Sequence, residues 1–302
     1  LDFYFLGGRM YEQLIKNLST ELKIKPEYIS NVLSMLADKS TVPFIARYRK
    51  EQTGGLDETE IKAIEDEYRY LENLEKRKEE VIRLIDEQGM LTEDLKQDIL
   101  KQTELARVED LYRPFRQKRK TRATEAVRKG LKPLFEVMLK QDVSDGDLET
   151  EAESYITEEV TSVEDALNGA NDIYAEHISD DAQYRKVILR EIKNSSLIVS
   201  SKKKNAEDEQ NVFEMYYDYS EAVKRIPPHR TLAMNRGEKL NVLTLKFEHN
   251  IDRISGYLSS KVIKENSKIS YRLNMVIEDS LKRLILPSLE REVRNDMTEV
   301  GE

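Results

Sequence analysis

The sequence predicts a mainly α protein: a multi-helical array with a helix-turn-helix-like hairpin near its start and a small β ribbon near residues 197–200 and 241–248. Three observations carry this. Apolar residues recur at spacings of three, four and seven along most of the 302 residues. Hydrophobic residues make up 39% and charged residues 35%, a balance that suits helices with narrow apolar stripes better than a thick sheet sandwich. Only 11 glycines and 7 prolines punctuate so long a chain.

Residues 1–9 (LDFYFLGGR) are apolar and brief, without a basic n-region or cleavage site, and read as a vector-derived or upstream extension. From Met10, Leu14, Ile15 and Leu18 fall on one helical face. Pro26 suits the start of a second helix carrying Ile29, Val32, Leu33 and Leu36. The tight KIKP connection gives the pair a helix-turn-helix outline, which by itself does not imply DNA reading. In residues 38–56, Val42, Phe44, Ile45 and Tyr48 are expected to anchor the stretch, while Arg47, Arg49 and Lys50 project cations and Gly54-Gly55 frees the backbone. Asp57 then caps a long helix with Ile61, Ile64, Tyr68, Leu71, Leu74, Val81 and Ile85 inward, stopped by Gly89. Thr92 caps a short helix, and another runs from Leu105 toward Pro114.

Residues 110–122, DLYRPFRQKRKTR, depart most from an otherwise acidic chain. Pro114 forces a loop or corner, and Arg113, Arg116, Lys118, Arg119, Lys120 and Arg122 crowd into it beside Tyr112 and Phe115. Cations beside flat rings can serve a phosphate backbone and unstacked bases. Equally, the rings can plug the corner into the core while the charges are merely solvated. Residues 123–129 and a stretch from Pro133 read as short helices, and the acidic residues 141–153, lacking calcium-loop spacing, as a solvated turn. Ser162 caps a long helix reaching Ile178, and residues 181–192 form another. At Asn194 the texture changes: a strand at 197–200, a basic turn at 200–205, an aromatic stretch at 213–219, a rigid KRIPPHR turn and an alternating strand at 241–248. Helices return at 251–265 and 272–297, the latter bent at Pro287. The expected division is therefore 10–193, helical, and 194–302, mixed and then helical.

A formal charge of -9 confines any nucleic-acid contact to local patches. Absence of cysteine removes disulfides, thiol nucleophiles and zinc fingers, and no apolar run is long enough to span a bilayer. His177, His229 and His249 have no second histidine at metal-ligand spacing, and phosphate-loop, dinucleotide, zincin and nucleophile-elbow motifs are missing. No catalytic residue, metal or cofactor is expected, and the chain reads as cytoplasmic.

Residues 40–58 (STVPFIARYRKEQTGGLDE), 109–134 (EDLYRPFRQKRKTRATEAVRKGLKPL), 216–239 (YYDYSEAVKRIPPHRTLAMNRGEK) and 281–297 (LKRLILPSLEREVRNDM) together, and in this order, strongly resemble the N-terminal part of the bacterial Tex family of transcription accessory proteins. Ala222 stands where the family pattern has proline. The resemblance implies a cytoplasmic nucleic-acid-binding protein whose family members continue into an RNase H-like domain, helix-hairpin-helix elements and an OB-fold that is the chief RNA binder. It implies for this stretch, with 10–193 as its N-terminal helical domain, a scaffold with at most an auxiliary nucleic-acid surface, and the cations and aromatics of basic segments 43–50 and 113–122 are where auxiliary RNA or DNA contact is expected. The alternative is a scaffold for transcription or translation machinery with no direct nucleic-acid contact and no membrane partner.

Overall fold

The computed structural model describes residues 8–301, so the extension expected at residues 1–9 lies, up to residue 7, outside the described residues. By packing, the chain divides into two compact units, residues 1–112 and 113–302. The change of texture at Asn194 falls inside the second.

The first unit contains α1 (Gly8–Leu22), α2 (Pro26–Ala37), α3 (Val42–Tyr48), α4 (Lys50–Thr53), α5 (Glu58–Glu87), α6 (Glu93–Leu100) and α7 (Leu105–Tyr112). Its core joins Leu18 of α1, Ile29, Val32 and Leu33 of α2, Ile45 of α3 and Ile61, Ile64 and Tyr68 of α5. These are the stripes that the sequence periodicity marks, and burying them holds the short helices, which would be marginal alone. Helix α5 opens on a reciprocal capping box: Asp57 Oδ1 accepts from the Glu60 N–H at 2.8 Å, and Glu60 Oε2 accepts from the Asp57 N–H at 2.9 Å. Thr92 caps α6 as expected, accepting from the Leu95 N–H at 3.2 Å.

The second unit contains α8 (Arg122–Arg128), α9 (Lys132–Lys140), α10 (Asp145–Glu153), α11 (Val163–Ser179), α12 (Ala182–Ser195), β1 (Leu197–Lys202), β2 (Asp218–Ala222), α13 (Pro228–Lys239), β3 (Leu243–Glu248), α14 (Ile251–Val262), α15 (Ser270–Asp279) and α16 (Leu286–Glu299). Helix α11 is its central element. Ala166, Leu167, Ala170, Tyr174 and Ile178 are buried against residues of α8, α9, α15 and the stretch before α16. The small residues on this face let neighbouring helices approach closely.

Three expectations need correction, and the expected ribbon gains a strand. The acidic stretch read as a turn contains helix α10, because Ser144 and Asp147 form a capping box and Leu148 and Ala152 turn inward. The expected ribbon is present, β1 pairing antiparallel with β3, and an unforeseen third strand makes it a sheet in the order β2-β1-β3 with β1 in the centre, its Leu197 opposite both Ala222 and Glu248. Strand β2, DYSEA, lies at an edge, and its polar alternation gives no apolar signal. Only the start of the KRIPPHR segment is a turn, since Pro228 opens α13. The last helical run is interrupted by a π-helical stretch, Ser280–Ile285, in which the Leu286 N–H reaches five residues back to the Leu281 carbonyl. Pro287 lacks the N–H that would continue the regular ladder, so the irregularity falls beside it. Ala222 ends β2, and its carbonyl accepts from the Arg225 and Ile226 N–H groups at 2.9 and 3.1 Å, bonds that a proline there would also permit.

Candidate nucleic-acid interface

Thr41 initiates α3, with Pro43 in its first turn. The seven residues of this helix turn Ile45 and Ala46 inward. The expectation that Phe44 and Tyr48 anchor the segment is overturned, since they are 38% and 62% exposed. One helical turn apart on the outer face, their rings pack on each other at 5.3 Å. The Arg49 guanidinium lies 5.3 Å over the Phe44 ring. Arg47, Arg49 and Lys50 are exposed, and among the described residues none has a carboxylate within salt-bridge reach. Gly54, left-handed at φ +67°, closes this segment directly against the Tyr28 ring.

The second segment is built differently. A single 3-10 turn, Arg113–Phe115, follows α7, and the chain then runs as a loop to Thr121, which caps α8 in a reciprocal bond pair with Thr124. Tyr112 is buried under the Arg77 guanidinium, and Phe115 is half-buried. The rings are therefore not open faces here. The cations divide into two sets. Lys118 is hydrogen-bonded to Asp180 and pairs with Glu176 at 3.3 Å, while Arg113 Nε stands 3.7 Å from Asp180. These contacts tie the corner to the C-terminal end of α11, where a cation also meets the negative end of the helix dipole. Arg116, Arg119, Lys120 and Arg122 are exposed; Lys120 comes within 3.9 Å of Glu125, and Arg119 and Arg122 have no carboxylate within salt-bridge reach among the described residues. The first segment thus presents cations and rings together, and the second presents cations alone.

Two further features escaped the sequence reading. Arg283 and Arg291 line the same cavity as Arg113, Arg116, Lys118 and Arg119, a space of about 440 Å³. Asp279 holds Arg283 at 2.8 Å, with Asp172 at 3.6 Å. Burial pushes the Asp172 carboxyl above its ordinary range even though Arg283 and Arg122 pull it down. The LKRLILPSLER segment contains both arginines, but nothing in the sequence brings it to the corner. The second feature is a Ser–His–Glu chain: His249 Nδ1 lies 2.7 Å from Ser196 Oγ, and Nε2 lies 2.6 Å from Glu290 Oε1. Ser196 is 1% exposed, so its hydroxyl is closed to a substrate. The chain ties the entry to β1, the exit from β3 and α16 together.

Residues 12–86 match the family model described as Tex-like protein N-terminal domain, and residues 144–302 match Tex central region-like. The chain is 47% identical to the uncharacterized protein YdcI of Bacillus subtilis strain 168, over 95% of this chain and 40% of that protein. It is 37% identical to the transcriptional accessory protein Tex of Neisseria gonorrhoeae, over 78% of this chain and 31% of that protein. The human S1 RNA-binding domain-containing protein 1 is 30% identical over 96% of this chain and 30% of its own length. The chain therefore spans 40% or less of the length of each of these relatives. Among the described residues, no helix is long and apolar enough to cross a membrane.

Proposed function

The chain belongs to the Tex family, and from that premise we propose that it is the helical scaffold of a cytoplasmic, nucleic-acid-binding transcription accessory protein. It makes auxiliary RNA or DNA contact through segments 43–50 and 113–122, uses no cofactor and breaks no bond. The main RNA contact rests with parts that the longer relatives have outside the stretch matched here. The observation that supports direct contact best is the exposed Phe44–Tyr48 ring pair on the outer face of α3, with the Arg49 guanidinium over the Phe44 ring and Arg47 and Lys50 exposed within two residues of Tyr48 along the chain. Such a face offers phosphates a counterion-releasing charge and bases a stacking platform.

The test is binding of a labelled single-stranded RNA over a KCl titration. The logarithmic salt slope should fall by roughly 0.7 for each phosphate contact removed, so Arg47→Glu with Arg49→Glu should flatten it. An unchanged titration in this variant, and in Arg116→Glu with Arg119→Glu, would remove direct contact. The ion pairs that hold Lys118 and Arg113 favour the other reading, a protein-interaction scaffold without nucleic-acid contact. Partners retained from nuclease-treated extract, with no RNA binding by the purified chain, would support it.

A further inference from the structure

We propose that the cavity between the 113–119 corner and the start of α16 is a built site for one phosphate group of a nucleic-acid strand, held by Arg119, Arg291 and the Ser288 hydroxyl. The inference rests on the nucleic-acid reading above and deepens it, since Arg291 and Ser288 lie outside both basic segments.

Charge decides which residues are available. Of the cations around the cavity, Lys118 and Arg113 are engaged with Glu176 and Asp180, and Arg283 with Asp279 and Asp172. These pairs fix the walls. Arg119, from the corner, and Arg291, from α16, are exposed, line the cavity and have no carboxylate within salt-bridge reach among the described residues. Two guanidinium groups on elements distant in sequence, facing one space, suit an anion with several acceptor oxygens.

Beneath them lies the feature that makes this more than a charged surface. Arg185 is 2% exposed, yet its side chain reaches the cavity lining, donating to Ser288 Oγ at 2.8 Å and to the Ser179 carbonyl at 3.3 Å. A hydroxyl whose oxygen accepts from a buried guanidinium still has its own proton to donate and is polarised toward donating it. Burying a guanidinium is costly unless its bonds are made, so these ties also hold Ser288 in place. The π-helical stretch Ser280–Ile285 runs along the same wall, an irregularity that frequently accompanies functional sites. The corner continues past the cavity through exposed Lys120 and Arg122, which suits an extended polyanion better than an isolated anion.

The experiment uses the 302-residue chain, a fluorescein-labelled single-stranded RNA and anisotropy titrations over a KCl series. Arg291→Ala should lower the logarithmic salt slope by about 0.7 and weaken binding roughly tenfold at low salt. Ser288→Ala should weaken binding about fivefold and leave the slope unchanged, because a neutral donor releases no counterion. Arg291 is exposed, so an unaltered circular dichroism spectrum is expected and serves as the folding control. Normal affinity and slope in both variants, with the α3 variant still defective, would overturn this site and leave the broader reading standing. Failure of the unmodified chain to bind RNA at any salt would overturn both. Inorganic phosphate is the second arm: if it raises the melting temperature of the unmodified chain but not of Arg291→Ala, while RNA titrations stay the same, the cavity takes free phosphate and the nucleic-acid assignment is wrong.

Discussion

At Gly54 the backbone sits at φ +67°, and a Cβ built there would come within 2.3 Å of the Tyr28 ring. Gly55 is also left-handed, at φ +82°, but a Cβ there would meet nothing within 4 Å. Alanine at Gly55 should therefore cost only the left-handed backbone penalty, about 1 to 2 kcal/mol. Alanine at Gly54 should cost that and the displacement of a packed ring, in total about 3 kcal/mol. Urea midpoints of the two variants check this, and equal losses would mean that Tyr28 yields freely. The glycine pair is legible in the sequence as a point of backbone freedom, while the ring against it is not. The same limit applies to Phe44 and Tyr48: one turn apart, they look like anchors, and only the packing of Ile45 and Ala46 shows that this face turns outward.

The connection from β1 to β2 depends on one carboxylate. Asp208 accepts from the Tyr217 hydroxyl at 2.7 Å, from the Phe213 N–H at 2.9 Å and from the Val212 N–H at 3.0 Å. The Tyr217 bond is the largest cause holding the Asp208 carboxyl below its ordinary 3.8, and the same bond pushes the Tyr217 phenol up to about 12. With a folded value below the unfolded one, the Asp208 contribution is complete above pH 3.8 and is lost as pH falls through the folded value. Tyr217 behaves oppositely: its contribution is complete below pH 10 and is lost as pH rises toward about 12. Melting curves against pH should show both slopes; because one bond causes both shifts, Asp208→Asn should remove the acid slope and flatten the alkaline one, and Tyr217→Phe should remove the alkaline slope and flatten the acid one. Elements with strong apolar periodicity, such as α5 and α11, are legible from sequence because burial enforces the pattern. Helix α10 is hidden by its acidic composition, and α13 by a weakly amphipathic sequence with Gly237 inside it. Strand β2 is hidden because an edge can be polar.

The whole molecule carries a formal charge of -9, and binding of a polyanion must be separated from that background. Reversing Arg47, Arg49 and Lys50 to glutamate changes the charge by two each, from -9 to -15. Reversing Lys62, Arg69 and Arg83, three exposed bases on α5, reaches the same total. If the contact is local, only the first set should weaken RNA binding at about 0.15 M salt, where fields fade within about 8 Å. Equal losses would show that overall charge governs binding. The basic segments themselves are legible in the sequence. The cavity is not, because it joins residues 113–119 to residues 283–291 through folding alone.

The π-helical stretch sets the azimuth of everything after it. Arg283 and Arg291 are eight residues apart, which on a regular helix at about 100° per residue leaves them about 80° out of alignment. The wide π winding that runs from Arg283 to Ile285 turns less per residue and so reduces that offset, and both arginines line one cavity. A length change of one residue between the two arginines would turn Arg291 by about 100° away from the cavity it shares with Arg119, while leaving every charge in the chain intact.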